Sequence, residues 1–277
     1  MKIAAYLKLM RFHKPVGIVL LWLPTAWALW VANHGHPSIR LILLFLSGTI
    51  LMRAAGCVVN DIADRNIDRH VKRTVARPLT NGEISLSEAL ILLMVLLTGA
   101  CFIVLQLPIT CFYYALLALL ITVIYPFCKR FFDAPQLMLG AAFSMGIPMA
   151  YSASNVPPNT KMALLVVICI LWTIAYDTIY AMVDKDDDLR IGVKSTAVLF
   201  ARFDTLAILS LQIMIHMLWL AFLFLSSRAY WFLWCWMLAG IWLIRLQSLV
   251  NSRDRQACFR AFTGHTIYGI LMWAALW

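Results

Sequence analysis

Residues 162–182 read MALLVVICILWTIAYDTIYAM and are followed at 183–188 by VDKDDD. A membrane-spanning α-helix needs about 20 mainly apolar residues, so the first segment is long enough to cross a bilayer. The second segment places several carboxylates where that helix would leave the hydrocarbon. An apolar span with an acidic end predicts a membrane protein whose chemistry lies at one surface of the membrane.

Apolar segments of similar length recur along the 277 residues, of which 63% are hydrophobic and 13% charged. Soluble domains are only about 45–50% apolar, so this composition excludes a soluble globular protein. Nine candidate spans lie at 16–32, 40–59, 86–106, 108–127, 136–154, 162–182, 205–226, 229–250 and 259–277. We predict an all-α, polytopic membrane protein, a single integral membrane domain over residues 1–277, with about nine transmembrane helices.

The charged residues divide unequally between the two sides that alternating spans create. Nineteen of the 23 Lys and Arg residues fall in one set of connections, three fall in the other, and Arg53 lies inside the second span. Basic residues gather in cytoplasmic loops, so we expect the N-terminus in the cytoplasm. This topology accounts for the formal charge of +10 and leaves no reason to expect a nucleic-acid partner.

All 13 acidic residues belong to the cytoplasmic connections or to the helix ends that feed them. We therefore expect a central cavity open to the cytoplasmic side, with the chemistry at its mouth. Side chains three or four residues apart share one face of a helix, so each of two acidic clusters is predicted to form one helical stripe. The first cluster is Asn60, Asp61, Asp64 and Asp68, and the second is Asp177, Tyr180, Asp184 and Asp188.

Carboxylates one turn apart repel each other by a few tenths of a kcal/mol per pair, and they are costly near hydrocarbon. A cation must offset this charge. Mg²⁺ takes oxygen ligands and typically binds one or two carboxylates together with substrate phosphates. Two facing D-x-x-x-D pairs could hold such ions around a diphosphate. The alternative is that the acids form salt bridges on a solvated loop with Arg65, Arg69, Lys185 and Arg190.

Basic side chains near the clusters can bind phosphate oxygens that a metal leaves free, although each can also serve membrane topology alone. The candidates are Lys72, Arg73, Arg77, Lys129, Arg130 and Lys194. Arg53 differs from these because it lies within an apolar span, seven residues before Asn60 and on the same helical face. Its planar guanidinium would suit a carboxylate on a second, anionic substrate. A snorkelling or helix-pairing arginine is the alternative.

The two acidic motifs resemble those of the UbiA superfamily of intramembrane prenyltransferases. Asn60-Asp61-x-x-Asp64-x-x-x-Asp68, with Lys72-Arg73 and Arg77-Pro78-Leu79 after it, resembles the first motif, and Asp177-x-x-Tyr180-Ala181-x-x-Asp184-x-x-x-Asp188 resembles the second. Four further segments resemble the bacterial branch that acts on 4-hydroxybenzoate. They are Arg11-x-His13-Lys14-Pro15-x-Gly17, Arg53-Ala54-Ala55-Gly56-Cys57, Tyr125-Pro126-Phe127-x-Lys129-Arg130 and Gly192-x-Lys194-Ser195-Thr196-Ala197.

The resemblance implies a bacterial inner-membrane enzyme of ubiquinone biosynthesis. Its reaction would transfer a polyprenyl group from polyprenyl diphosphate to the ring carbon ortho to the hydroxyl of 4-hydroxybenzoate, with membrane lipid around the tail. The resemblance implies that Asp64, Asp68, Asp184 and Asp188 are catalytic and hold Mg²⁺ with the diphosphate. The resemblance implies that Asn60, Asp61, Asp177 and Tyr180 complete the polar site. Among the basic residues, Arg130 is the first to which it assigns a role in the site.

Two alternatives keep the acidic clusters but change the function. The motifs alone allow another acceptor on the same fold, such as haem, chlorophyllide, naphthoate or homogentisate. A cation transporter would use the carboxylates as an ion site, but alternating access favours a site near the membrane midplane. A CDP-alcohol phosphotransferase would also use aspartates and Mg²⁺ in a membrane, but its D-G-x-x-A-R signature is absent from this sequence.

Overall fold

The computed structural model describes residues 2–70, 74–226 and 230–277, and these residues form helices and connections without a strand. Lys72 and Arg73 of the predicted phosphate-binding set lie outside the described residues. The α-helices are α1 (Lys2–Leu9), α2 (Val16–Ala32), α3 (Ile39–Asp64), α4 (Leu86–Val104), α5 (Ile109–Cys128), α6 (Pro135–Ser144), α7 (Gly146–Ala153), α8 (Thr160–Ile191), α9 (Thr196–Leu199), α10 (Asp204–Ser226), α11 (Tyr230–Asn251) and α12 (Arg255–Ala274).

Six helices within the described ranges are long and apolar enough to cross a membrane. They are α3, α4, α5, α8, α11 and the stretch Ala201–Leu225, which contains most of α10. The all-α prediction is confirmed, whereas the count of nine crossings stays a prediction. The span expected at 136–154 is two short helices joined at Met145, because Pro148 has no N–H for the carbonyl of Ser144.

Large aromatic side chains fix the centre of the bundle. Trp27 of α2 packs on Trp172 of α8 and on Trp219 of α10, with ring centroids 5.0 and 5.1 Å apart. Its Nε1 also donates to the carbonyl oxygen of Gly269 in α12 at 3.1 Å. A Cβ on Gly269 would lie 2.6 Å from a methyl of Leu23, so glycine permits this close approach of α2 and α12. Contacts of this kind hold α8 in a fixed position relative to its neighbours.

The C-terminal ends of α3, α5 and α8 meet at one end of the bundle. Lys129, which follows α5, donates from Nζ to Asp64 at the end of α3 at 2.9 Å. The backbone N–H of Lys194, in the connection after α8, donates to the carbonyl oxygen of Lys129 at 3.0 Å. These bonds join three helix ends that are far apart in sequence, and each end carries part of a predicted motif.

The first acidic cluster is not one helical stripe, so that prediction is wrong for Asp68. Helix α3 ends at Asp64, and Asp68 begins a short 3-10 helix, Asp68–His70. Breaking the helix lets Asp68 turn back to Arg77, and Thr74 Oγ1 donates to the Asp68 carbonyl oxygen at 3.0 Å.

The second acidic cluster is one helical stripe, as predicted. Helix α8 continues without interruption from Thr160 to Ile191 and carries Asp177, Tyr180, Asp184 and Asp188 on consecutive turns. Gly192 follows Ile191, the last residue of α8, and its φ of +72° lies in the left-handed region that glycine adopts without strain. The helix is therefore long enough to cross the apolar region and still present carboxylates beyond it.

Candidate active site

One cavity of about 870 Å³ receives both acidic clusters. Asp64 and Asp68 line it from the end of α3 and the turn that follows, and Asp184 and Asp188 line it from α8. All but Asp188 are buried in the fold. Two stretches of chain 120 residues apart thus contribute carboxylates to the same polar pocket, as the sequence predicted.

Asp61 is held between two arginines. Arg11 Nη2 donates to both carboxylate oxygens of Asp61, at 2.7 and 3.0 Å, and Arg77 Nη1 donates to Oδ1 at 3.0 Å. Arg77 also pairs with Asp68. Asp61 is 1% exposed, and a carboxylate buried to this degree is stable as an anion only when it is paired. Its role is therefore to hold two guanidinium groups at the cavity.

Asp64 has one satisfied and one unsatisfied oxygen. Lys129 Nζ donates to Asp64 Oδ2 at 2.9 Å and to Asn60 Oδ1 at 3.3 Å. Asp64 Oδ1 is buried and has no hydrogen-bond partner among the described residues. A buried oxygen of a carboxylate without a donor is costly, so this position favours a bound cation. Asp64 Oδ1 is thus a suitable ligand atom for a metal.

Burial and local charges shift two pKa values near the acidic pocket. Burial raises the pKa of the Asp68 carboxyl above its ordinary value, although the Arg77 guanidinium acts in the opposite direction. For Lys129, burial lowers the pKa, but the neighbouring Tyr125 and Asp64 outweigh it and the net pKa is raised. Lys129 therefore keeps its positive charge inside the pocket, where it can contact an anionic group.

The second cluster faces the same cavity from α8. Asp177 and Tyr180 line the cavity beside Asp184 and Asp188. Asp186 and Asp187 point elsewhere, since Arg255 pairs with them at 3.2 and 3.7 Å. Asp186 is two residues after Asp184 and therefore lies on the opposite side of the helix, whereas Asp187 lies nearer the face of Asp184 and is directed away from the cavity by its pairing with Arg255.

The oxygen atoms that line the pocket fit Mg²⁺, because they belong to two pairs of carboxylates, Asp64 with Asp68 and Asp184 with Asp188. Within residues 2–70, 74–226 and 230–277, no group of three or more His, Cys, Asp or Glu side chains is close enough to hold a metal ion alone. Mg²⁺ does not require such a group, because it keeps several waters and shares its coordination with substrate phosphates. The unpartnered oxygen of Asp64 agrees with an ion that is bound together with a phosphorylated substrate.

Arg53 lies in the wall of the cavity, as its helical register predicted. Its guanidinium rests against the backbone of Gly17 in α2, and a Cβ on that glycine would lie 2.4 Å from Arg53 Nε. Arg53 Nε is buried and has no hydrogen-bond partner in the described part of the chain. An arginine with an unsatisfied donor in a membrane-embedded cavity is suited to bind an anion.

Three basic residues of the predicted set differ in their positions. Lys129 reaches into the cavity, whereas Arg130 is exposed and donates to the carbonyl oxygen of Ala63 at 3.0 Å. Arg130 is therefore outside the cavity lining and closes the end of α3. Lys194 lines the rim, where its Nζ contacts Asp133 at 2.8 Å and the carbonyl oxygen of Phe131 at 3.1 Å.

Arg11 belongs to the cavity, although the sequence indicates it only as part of a segment that resembles the family. Its backbone is in the left-handed region, with φ of 62°, which directs the chain between α1 and α2. Its side chain lines the cavity and pairs with Asp61. One sequence signal could have found it: a carboxylate at a membrane helix end needs a cation, and Arg11 is a basic residue close before the first span.

The profile of the UbiA prenyltransferase family matches residues 21–275. The chain belongs to this family. It is 56% identical to a 4-hydroxybenzoate octaprenyltransferase of Legionella pneumophila (strain Paris), over 98% of this chain and 96% of the relative. It is 48% identical to a protein of the same name from Serratia proteamaculans (strain 568), over 98% and 94% of the two chains.

Solved UbiA structures share the fold. A UbiA homologue from Aeropyrum pernix K1, in its apo form, matches with a TM-score of 0.81 at 24% identity and covers 93% of this chain and 96% of its own. A UbiA homologue from Archaeoglobus fulgidus bound to GPP and Mg²⁺ matches with a TM-score of 0.74 at 19% identity, over 98% and 99% of the two chains. With the six long apolar helices, family membership establishes a membrane prenyltransferase.

Proposed function

We propose that this UbiA-family protein transfers a polyprenyl group from polyprenyl diphosphate to the ring carbon ortho to the hydroxyl of 4-hydroxybenzoate. One observation carries the proposal: the two acidic clusters and their basic partners form the polar end of a cavity whose remaining walls are mainly apolar. A diphosphate with an isoprenoid tail matches this division of polarity. The names of relatives 56% and 48% identical to this chain support the aromatic acceptor.

The proposal treats residues 1–277 as one domain in a bacterial inner membrane, with the N-terminus in the cytoplasm. The excess of basic residues on the side of the acidic clusters supports this orientation. The diphosphate would then enter from the cytoplasmic surface, where the soluble aromatic acid is also present. The tail would extend toward the membrane interior.

Asp64, Asp68, Asp184 and Asp188 are the residues that would hold Mg²⁺ together with the diphosphate. When bound, the metal supplies neutralisation of negative charge on the leaving diphosphate. Asp64 is the strongest candidate because its Oδ1 is buried without a partner in the described residues. Asp184, buried on α8, presents the matching carboxylate across the cavity.

The cations of this chain bind the donor and stabilise its departure. Lys129 is inside the pocket beside Asp64, and Arg77 and Arg11 are fixed by Asp61. As the bond between the allylic carbon and oxygen breaks, its electron pair goes to the diphosphate, and these side chains stabilise the developing charge. The surrounding helices exclude water, which would otherwise capture the allylic cation.

Arg53 orients the acceptor by pairing with its carboxylate. The ring carbon ortho to the hydroxyl then supplies the electron pair of the new carbon–carbon bond, and the ring proton leaves to the released diphosphate or to one of the aspartates. Arg53 has the geometry for this role because its guanidinium is confined by Gly17 and keeps an unpartnered Nε among the described residues. An acceptor without a carboxylate would leave this charge unpaired.

One assay distinguishes the proposed reaction from two other functions on the same fold, namely prenylation of another acceptor and cation transport. Membranes that contain the protein are incubated with Mg²⁺, octaprenyl diphosphate and radiolabelled 4-hydroxybenzoate, and the lipids are then extracted. We expect label in the lipid phase. Prenylation of naphthoate, homogentisate or haem without label from 4-hydroxybenzoate would refute the acceptor, and absence of any prenylated product would favour a cation transporter.

A further inference from the structure

The acidic end of α8 extends beyond the hydrophobic core of the bundle. A buried apolar cluster packs α8 against α10 and α12, and Val183 is the last residue of α8 in this cluster. The helix continues for about two more turns to Ile191 and carries four aspartates between positions 184 and 188. Like charges on neighbouring turns repel, and the negative end of the helix dipole adds to the repulsion. The position of this segment therefore depends on contacts with cations.

Lys185 connects this segment to the start of α10. Its Nζ donates to Asp204 Oδ2 and to the carbonyl oxygen of Ala201, both at 2.5 Å. Asp204 is the first residue of α10 and is 1% exposed. The N-terminus of a helix carries positive partial charge, so a carboxylate is favourable there. Lys185 thus pairs with a buried carboxylate that belongs to a different helix.

Asp204 is held from a second side by the connection between α11 and α12. Arg253 Nη2 donates to Asp204 Oδ1 at 2.7 Å and to the carbonyl oxygen of Arg202 at 2.6 Å. The backbone N–H of Thr205 donates to the same Oδ1 at 2.7 Å. Both carboxylate oxygens are therefore occupied, and the Asp204 carboxylate cannot turn without breaking an ion pair.

The backbone is strained at both connections that meet Asp204 and Lys185. Ala201 has φ of 47° and Arg253 has φ of 54°. Both values lie in the left-handed region, which is unfavourable for residues with a Cβ. Such conformations persist only where the surrounding structure determines them. Because the Ala201 carbonyl binds Lys185 and the Arg253 guanidinium binds Asp204, the strain coincides with this junction.

The junction affects the cavity because Lys185 directly follows Asp184, which lines it. Consecutive helical residues point about 100° apart, so Lys185 leaves α8 on the flank of its cavity face. Side chains end about 5–6 Å from the helix axis, so a rotation of α8 by about 20° would move a carboxylate by about 2 Å. Metal–ligand distances tolerate only about 0.2 Å. Holding Lys185 therefore fixes the direction in which Asp184 points.

We propose that Asp204 is a positioning residue for the metal-binding carboxylates of α8 and that it acts through Lys185. The inference rests on the proposed function and extends it to two residues outside the cavity lining. The pair of Arg255 with Asp186 does not share this role. Its two side chains are 46% and 73% exposed, and exposed ion pairs contribute little. The buried carboxylate of Asp204 is thus the fixed point for the acidic end of α8.

The test separates positioning from general stabilisation. Lys185→Met removes the contact with α8 and leaves Asp204 paired with Arg253. Arg253→Met is the matched control, because it breaks the other ion pair of Asp204 while Lys185 and the Thr205 N–H still hold the carboxylate. Mn²⁺ is titrated as the probe for the Mg²⁺ site in the presence of a non-hydrolysable prenyl diphosphate analogue, and binding is followed by electron paramagnetic resonance. Tm, the Mg²⁺ concentration for half-maximal turnover and KM for 4-hydroxybenzoate are measured on the same preparations.

We expect the Kd for Mn²⁺ and the half-maximal Mg²⁺ concentration to rise about tenfold in Lys185→Met, as when an outer partner of metal ligands is lost. KM for 4-hydroxybenzoate should stay unchanged. In Arg253→Met, the Tm should fall while the Kd for Mn²⁺ stays close to that of the unmodified protein. Unchanged Mn²⁺ affinity in Lys185→Met, or an equal rise of the Kd in both variants, would overturn the proposal.

Asp204→Asn tests the same contact from its other end and decides the outcome if Lys185→Met does not fold. We expect the same rise in the Kd for Mn²⁺. The double variant Lys185→Met/Asp204→Asn should bind Mn²⁺ no more weakly than either single variant, because both changes break one link. Additive losses of affinity would show that Asp204 does not act through Lys185. Failure of the unmodified protein to bind Mn²⁺ with the analogue would refute the metal role in the proposed function instead.

Discussion

The guanidinium of Arg53 in α3 lies directly against the backbone of Gly17 in α2, in space that a side chain at position 17 would occupy. A Cβ at position 17 would approach Nε and Nη2 of Arg53 to 2.4 Å, so glycine is the residue type that leaves Arg53 in place. Because both residues line the cavity, a change in α2 that never touches the acidic clusters can still move a charge within the site.

Gly17→Ala is expected to impair use of the aromatic acid more than use of the prenyl donor. The added methyl displaces the Arg53 guanidinium and weakens a charged hydrogen bond worth about 1.5–3 kcal/mol, which corresponds to an increase of about tenfold or more in KM for 4-hydroxybenzoate. Steady-state kinetics with each substrate varied in turn measure the effect. Gly99→Ala is the control, because its neighbour is a flexible Leu51 methyl at 3.2 Å.

Arg53→Ala should give the same pattern with a larger magnitude. Removal of the guanidinium deletes the partner of the acceptor carboxylate, so KM for 4-hydroxybenzoate rises while KM for the prenyl diphosphate changes little. An equal rise in both Michaelis constants would contradict this placement. Near-normal kinetics would contradict any contact between Arg53 and the acceptor.

Asp64→Ala and Asp184→Ala are each expected to lower kcat by about a hundredfold or more, as for loss of a group that stabilises charge in the transition state. Turnover is followed across a Mg²⁺ titration, and folding is checked by thermal denaturation in detergent. Asp186→Ala is the matched control, because this exposed carboxylate on the same helix pairs with Arg255 outside the cavity. Comparable activity in all three variants would exclude the metal role of Asp64 and Asp184.

Asp61→Asn is expected to reduce both stability and donor binding. The change leaves Arg11 and Arg77 without their shared buried carboxylate, and loss of one partner of a buried ion pair costs about 3–5 kcal/mol. We expect a lower Tm and a higher KM for the prenyl diphosphate. Lys2→Ala, which breaks an exposed ion pair with Glu88, should leave both quantities nearly unchanged. A normal Tm in Asp61→Asn would contradict the role of Asp61 in holding Arg11 and Arg77 at the cavity.

Lys129→Ala is expected to reduce turnover far more than Arg130→Ala. Lys129 contacts Asp64 and Asn60 within the cavity, whereas Arg130 is exposed and contacts the Ala63 carbonyl. The measurement is kcat/KM for the prenyl donor in both variants. The reverse order would show that Arg130 turns into the cavity when substrate binds and that its exposed position is a feature of the free protein.

Much of the fold and site could be predicted because hydrophobic length and helical register are local properties. The register of Asp177, Asp184 and Asp188 needs only an uninterrupted helix, and α8 is one. The prediction for Asp68 is wrong because the end of α3 depends on Arg77, nine residues further along the chain, which pairs with Asp68 where the chain bends back. The residues next to a carboxylate in the sequence do not show which cation will contact it in the fold.

The positions of single cations were the least predictable part of the site. Lys129 and Arg130 are adjacent in sequence and both carry a positive charge, yet only Lys129 lines the cavity. The choice depends on how the turn after α5 docks on the end of α3. Arg11 was overlooked as a site residue for the same reason, since its pairing with Asp61 joins residues 50 positions apart.

The bond from the Lys194 amide to the Lys129 carbonyl uses main-chain atoms alone. Exchange of either lysine for another amino acid therefore leaves the alignment of the two loops intact, with proline at 194 as the exception. Substitutions at these two positions can therefore change the charge near the site to suit a different anionic substrate, while the contact between the two loops stays the same. The charge at the site and the backbone that positions it can thus evolve independently.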